Sequence, residues 1–183
     1  VNRHMNIGII GLGSMGLNLS KNIISKKYKV YAYEENPEIN NDLKKNKVKD
    51  LFLTESLNEL LNKVISPRII MLSLPANKVD EVINELTNFL EPEDIVADLG
   101  NSLYSKSIER NNLLNSHMIN FLGIGVSGGP RGAKNGPAIM AGGSKEAWNK
   151  TKHIFEDIAA KNDNQSACCF FGGAGSGHFV KLV

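Results

Sequence analysis

The sequence predicts an α/β fold built on a doubly wound, mostly parallel sheet with flanking helices. Two observations lead there: apolar runs of strand length alternate with longer amphipathic stretches, and the first alternation is joined by a glycine-rich turn. The pairs are "NIGII" with "SMGLNLSKNIISK", "YKVYAY" with "PEINNDLKKN", "RIIML" with "ANKVDEVINELTNFL", and "DIVADL" with "YSKSIERNNLLNS". Between the second and third pairs comes a short strand, "LFL", and then "SLNE", where Ser56 and Glu59 have the spacing of a capping box that opens another helix. After "RIIML", Val79, Val82, Ile83, Leu86 and Leu90 recur at three- and four-residue steps, which predicts one apolar face laid on the sheet.

From Met118 the pattern changes. "MINFLGIGVSGG" predicts a strand ending in glycines, then come a loop, the segment "PAIMAGG" and the helix "SKEAWNKTKHIFEDIAA". The polar "KNDNQS" predicts a surface loop before a short last strand, "CCFF", and "AGSGHFVKLV" has the character of the first turns of a helix. Neither an internal repeat nor a low-complexity segment interrupts the chain. The leading "VNRHM" reads as a vector remnant running into a native start at Met5, so residues 1–4 are given no fold meaning.

A chain of 183 residues, 42% of them hydrophobic, can bury one sizeable core. Its 21 Lys and Arg against 19 Asp and Glu leave a formal charge of +2, scattered along the chain, so nucleic acid is not an expected partner. "KKYK" and "KKNKVK" read as solvated helix ends. No run approaches the roughly 18 apolar residues of a membrane span, and the N-terminus lacks the make-up of a signal peptide; the expected setting is cytoplasmic, with no membrane partner. Cys168 and Cys169 are adjacent, a spacing that strains a disulfide and suits no metal site, so reduced thiols packed in a strand are expected.

"GIIGLGSMG" places Gly11, Gly13 and Gly16 in G-x-G-x-x-G spacing directly after a strand and at the start of a helix. Gly11 then permits a tight turn, Gly13 lets the backbone approach a pyrophosphate, and Gly16 lets helix pack on strand. Ser14 and Met15, inside the turn, join the candidate cofactor residues, and the free N–H groups of the helix start face the phosphates. Such turns also serve plain strand–helix packing; the βαβ context makes this one a Rossmann-like dinucleotide turn. The second strand ends in Glu34 and Glu35, followed by Asn36, about twenty residues past the glycines, where a carboxylate accepts the ribose hydroxyls of NAD. Two unit charges about 5 Å apart at an effective dielectric of about 20 repel by roughly 3 kcal/mol, so a carboxylate there works against the 2′-phosphate of NADP. The other reading makes both glutamates solvated loop residues, since a one-residue shift in the strand end turns either away.

The motifs GLGSMGLNL, DLGNS, NFLGIGVSGG, GAKNGPAIMAGG and GSGHFVK, in that order, resemble the N-terminal part of 6-phosphogluconate dehydrogenase, the decarboxylating enzyme of the pentose phosphate pathway, over residues 5–183. The resemblance implies oxidation of the 3-hydroxyl of 6-phosphogluconate with hydride transfer to NAD or NADP, loss of carbon dioxide to give ribulose 5-phosphate, and no metal. It places Lys181 on the catalytic lysine, Ser127, Gly128 and Gly129 on the segment that holds the substrate's carboxylate and hydroxyl end, and Asn101 between nicotinamide and substrate. An alcohol donates hydride as its proton leaves, so a neutral amine suits the base. An ordinary lysine is almost wholly charged at neutral pH, so the site must desolvate it. Once protonated, it polarises the new keto oxygen and stabilises the enolate left by decarboxylation. Without the surrounding motifs Lys181 reads as a surface lysine, Ser127 as a turn residue and His178 as a packing or hydrogen-bonded histidine.

The sequence departs from the family pattern in several places. NADP-using members carry asparagine, arginine and threonine where Glu34, Glu35 and Asn36 stand, so NAD is favoured. "SLPAN", with Leu74, replaces a lysine-containing loop near the cofactor; Pro130 and Arg131 replace paired glutamates; Leu99 replaces a glycine with no consequence evident from sequence. The resemblance divides the chain into a dinucleotide-binding domain at 5–176 and, at 177–183, the start of a helix that leads into an absent all-helical domain, which in the family supplies dimer contacts, a second acid and substrate-phosphate ligands. The expectation is a fragment that binds the dinucleotide, belongs to a homodimeric protein and turns over 6-phosphogluconate very slowly by itself. Two alternatives stay open: a β-hydroxyacid dehydrogenase of the 3-hydroxyisobutyrate type, and a non-catalytic nucleotide-binding module.

Overall fold

The computed structural model describes residues 5–163 and 165–183; the stretch read as a vector remnant lies outside them. The elements follow in the order β1 (Asn6–Ile10), α1 (Ser14–Ser25), β2 (Lys29–Tyr33), α2 (Pro37–Lys45), β3 (Leu51–Thr54), α3 (Leu57–Lys63), β4 (Ile69–Leu72), α4 (Ala76–Leu86), β5 (Ile95–Asp98) and α5 (Tyr104–Ser116). Then come β6 (Asn120–Ser127), α6 (Gly129–Asn135), β7 (Ala138–Gly143), α7 (Lys145–Ile158), β8 (Lys161–Asn162), β9 (Gln165–Ser166), β10 (Cys168–Phe170) and α8 (Ser176–Leu182).

Eight strands form one sheet in the order β10-β7-β6-β5-β4-β1-β2-β3. From β3 to β6 every pairing is parallel, so the first six strands take the 3-2-1-4-5-6 order of a dinucleotide fold. β7 runs antiparallel to β6, and β10 runs parallel to β7. The predicted doubly wound, mostly parallel architecture is therefore the observed one, and both faces of the sheet are covered. On one face Leu19 and Ile23 of α1, Leu43 of α2, Ala133 of α6 and Trp148 and Phe155 of α7 pack on the strands. On the other lie Leu57, Leu60 and Leu61 of α3, Val79, Ile83 and Leu86 of α4, and Leu114 of α5. The apolar face expected on α4 is present: Val82 and Leu90 are half-buried against the same cluster, although the helix stops at Leu86. No helix among the described residues is long and apolar enough to cross a membrane.

Three local expectations are corrected. The loop expected before "PAIMAGG" is the seven-residue helix α6. Gly128 and Gly129 turn the chain with φ of 127° and 61°, Pro130 sits in the first helical turn, and the Asn22 side chain holds the Ala133 carbonyl against α1. The "KNDNQS" loop contains a small antiparallel pair, β8 with β9, in which Lys161 faces Ser166. At "SLNE" Ser56 caps the Glu59 N–H, but the Glu59 carboxylate accepts from the N–H of Glu55, one residue before the cap. Cys168 and Cys169 are free thiols in β10, the first half-buried and the second exposed.

Candidate functional site

The strand order reverses at β1 and β4, and there the carboxyl ends of the strands open into two joined clefts. One, of about 900 Å³, runs along Tyr33, Glu34, Glu35, Asn36 and Lys78. The other, of about 460 Å³, is lined by Asn101, Ser127, Gly128, Gly129 and Lys181, together with Leu99. Gly13, Ser73 and Leu74 line both. Every residue predicted from the sequence to bind cofactor or substrate lines one of these clefts, with Gly11 on the first and Ser14, Met15 and Gly16 on the second.

Each glycine of the first turn has its own physical reason. Gly11 has φ of 94°, and a Cβ on it would stand 2.3 Å from the Ser73 carbonyl oxygen. A Cβ on Gly16 would stand 2.0 Å from the carbonyl oxygen of Gly11, so helix and turn meet backbone to backbone. Gly13 is different: nothing lies within 4 Å of where its Cβ would be, which leaves that approach open to a ligand. Gly13 also starts α1 without a side-chain cap and with no acidic residue in the first turn, so the helix presents free N–H groups and its positive end to the cleft. These features fit a dinucleotide pyrophosphate.

At the far end of the first cleft the two glutamates part company. The Glu34 carboxylate accepts from the N–H of Leu12 at 2.5 Å and from the N–H of Asn36 at 2.7 Å, so it holds the glycine turn to the end of β2. Glu35 is exposed, with no hydrogen-bond or ion-pair partner among the described residues. The Tyr33 phenol is pushed up by burial and then by the nearby charge of Glu35. Lys78, in the first turn of α4, ion-pairs with Glu81 at 3.1 Å and brings a cation to the same cleft. Sequence reasoning passed over it, because a lysine at a helix start carries no mark of the cleft beside it.

Asn101 stands on a loop whose frame the sequence did not reveal. Asp98, at the end of β5 and fully buried, accepts from the Gly100 N–H at 2.9 Å and from the Ser102 hydroxyl at 2.6 Å. Its second oxygen also takes Nη1 of Arg110 at 2.8 Å, while Nε of the same buried arginine reaches Asp80 of α4 at 2.6 Å. The motif DLGNS marks Asp98 and Ser102 in hindsight; Arg110, within "ERNN", looks like a solvated helix residue. Leu99, the departure from the family glycine, is 6% exposed and packs into the core.

Lys181 rides on α8, and its Nζ donates to Oδ1 of Asn101. The helix lies close on the sheet because its floor lacks side chains: a Cβ on Gly125 would stand 2.8 Å from Cβ of Lys181, and one on Gly177 would stand 2.4 Å from the carbonyl oxygens of Gly123 and Met140. One turn before Lys181, His178 is 1% exposed, with Nδ1 2.6 Å from the Ser107 hydroxyl of α5. Burial pushes this imidazole below its ordinary value of 6.5, Asp98 and the Gly100 backbone oppose that shift, and Arg110 and Lys181 add to it. It is the hydrogen-bonded packing histidine, pinning α8 to α5. Lys181 itself is half-buried at the cleft mouth, so this domain does not by itself give the full desolvation expected for a lysine base.

Residues 6–173 match the family described as the NAD binding domain of 6-phosphogluconate dehydrogenase. The chain belongs to this family. The decarboxylating 6-phosphogluconate dehydrogenase of Chlamydia pneumoniae is 44% identical over 97% of the chain, which spans 38% of that relative's length. Among solved structures, 6-phosphogluconate dehydrogenase of Plasmodium falciparum, described with its cofactor NADP+ and its substrate 6-phosphogluconate, superposes with a TM-score of 0.91 at 35% identity, covering 97% of this chain and 39% of that one. A 3-hydroxyisobutyrate dehydrogenase of Mycobacterium tuberculosis shares the fold at a TM-score of 0.83 and 23% identity, covering 98% of this chain and 58% of that one, and is the more distant of the two. As a member of the 6-phosphogluconate dehydrogenase family, the chain is a domain of the NAD(P)-binding kind.

Proposed function

We propose that the joined clefts bind NAD or NADP, with NAD ahead, and that the whole protein oxidises and decarboxylates 6-phosphogluconate to ribulose 5-phosphate and carbon dioxide. The hydrogen bond from Lys181 to Asn101 carries the reading: it brings the candidate base and the candidate nicotinamide-side amide together beside Ser127, Gly128 and Gly129. NAD is favoured by Glu35, the exposed carboxylate at the ribose end of the first cleft.

The bound dinucleotide supplies the hydride acceptor. Lys181, as the neutral amine, takes the proton of the substrate's 3-hydroxyl as the hydride leaves carbon 3. The resulting ammonium donates to the new keto oxygen. When the bond between carbons 1 and 2 breaks and carbon dioxide leaves, that oxygen takes the electron pair as an enolate facing the same ammonium. Asn101 spends its oxygen on Lys181 and keeps its NH₂ donors for ligand. Ligands filling the cleft of about 460 Å³ would exclude the water that still reaches Lys181.

The chain covers 38% of the Chlamydia relative, and the same reading takes the whole protein as a cytoplasmic homodimer with a further helical domain beyond residue 176. Support comes from an apolar surface on α5 and α8: Tyr104 and Phe179, stacked edge to face with ring centroids 5.5 Å apart, are exposed together with Ile108 and Leu182. The test is steady-state turnover by the whole protein, with 6-phosphogluconate and 3-hydroxyisobutyrate as rival substrates. The expected result is dinucleotide reduction with 6-phosphogluconate only, abolished in Lys181→Met. Preferred turnover of 3-hydroxyisobutyrate, or an active Lys181→Met variant, would contradict the assignment.

A further inference from the structure

The ribose end of the first cleft is acidic, with Glu34, Glu35 and Glu38 on its lining, and among the described residues that line it Lys78 is the one cationic side chain. Glu34 is committed to the backbone of Leu12 and Asn36, which leaves the carboxylates of Glu35 and Glu38 and the amine of Lys78 as the other charges lining this end. Lys78 stands on α4 rather than on the loop after β2, and its ion pair with Glu81 is solvent-exposed on both sides, with side-chain exposures of 43% and 66%. Such a pair holds little free energy and exchanges readily. Glu81 and then Glu35 favour the charged amine of Lys78, so both carboxylates lie within its electrostatic reach. The lysine stem can thus turn from Glu81 toward the cleft.

We propose that Lys78 reads the 2′ position of the adenosine ribose, supplying from α4 a cation for the 2′-phosphate of NADP and so limiting the preference for NAD that Glu35 sets. A phosphate dianion there meets the repelling carboxylates of this lining and one attracting amine, whereas the 2′-hydroxyl of NAD needs only an accepting carboxylate. The inference rests on dinucleotide binding by these clefts, and NAD differs from NADP only at the group in question.

The test is calorimetric titration of this chain and two variants, Lys78→Met and Glu35→Gln, with NAD and NADP at one salt concentration. Glu35 is exposed and Lys78 is half-buried, and matching thermal melts would confirm intact folds. Lys78→Met is expected to weaken NADP by about tenfold or more while NAD stays within about twofold, and Glu35→Gln is expected to shift the ratio toward NADP. If Lys78→Met changes both affinities equally or changes neither, the role of Lys78 is overturned while dinucleotide binding stands. If the unaltered chain binds neither dinucleotide, the reading of the clefts and the inference fall together.

Discussion

Nη1 of Arg110 lies 2.8 Å from Oδ2 of Asp98, with the two side chains 3% and 0% exposed, beneath the loop that carries Asn101. Removing Asp98 leaves the buried Arg110 guanidinium with the half-exposed Asp80 as its remaining carboxylate partner. Asp98→Ala is expected to destabilise the chain by about 3–5 kcal/mol in urea unfolding. Because Gly100 and Ser102 lose the same anchor, dinucleotide affinity should also drop by on the order of tenfold. A variant as stable as the parent would show that the pair does not hold this loop.

The glycine turn separates binding from folding. Gly13 has open space before it and φ of −58°, so Gly13→Ala should cost at most about 1 kcal/mol of stability yet weaken dinucleotide binding by about tenfold or more. Gly16→Ala drives a methyl into the Gly11 carbonyl oxygen and is expected to cost about 3 kcal/mol or more. Thermal melts beside titrations of the two variants check the contrast; equal loss of stability in both would contradict it.

His178 predicts a pH dependence. Its folded value lies below the ordinary 6.5, so near and below that pH the unfolded chain binds more protons than the folded one. Stability from this group is present above about pH 6.5 and is lost as pH falls toward the folded value, at up to about 1.4 kcal/mol per pH unit. Urea unfolding between pH 5 and 7.5 should show a shallower slope in His178→Gln than in the parent; identical slopes would remove His178 as the cause.

The two thiols should react unequally. Burial and then Glu156 push Cys168 up to about 12, whereas Cys169 is exposed. Brief alkylation at pH 8 is expected to label Cys169 alone, read by peptide mass spectrometry, and prompt labelling of Cys168 would show that β10 opens.

Much of the architecture was legible because period and punctuation agreed: alternating apolar and amphipathic runs encode βα pairs, and Gly11, Gly13 and Gly16 leave a mark that close backbone packing requires. Helix α6 was hidden by its composition, since seven residues with two glycines and a proline carry no helical period. β8 and β9 were hidden by their polarity. In the site, the separate roles of Lys181 and Asn101 came from motif resemblance, and their hydrogen bond across 80 positions emerged only from the structure, because no local pattern links them. Glu34 and Glu35 are indistinguishable by type, and only the backbone of Leu12 shows which is committed to the turn. Arg110 and Lys78 escaped for one reason: a charged residue on a helix reads as solvated until the neighbouring element is placed over it.

The central claim is that one dinucleotide lies across both clefts, with its ribose end at Glu35 and its nicotinamide end at Asn101 and Lys181. Nitrogen-15 NMR of this chain titrated with NAD tests it most directly. The account predicts saturable shifts at the amides of Gly13, Ser14 and Glu35 together with those of Asn101 and Lys181. No saturable binding, or shifts confined to another surface such as the groove of Lys44, Lys47 and Phe52 beside β3, would contradict it.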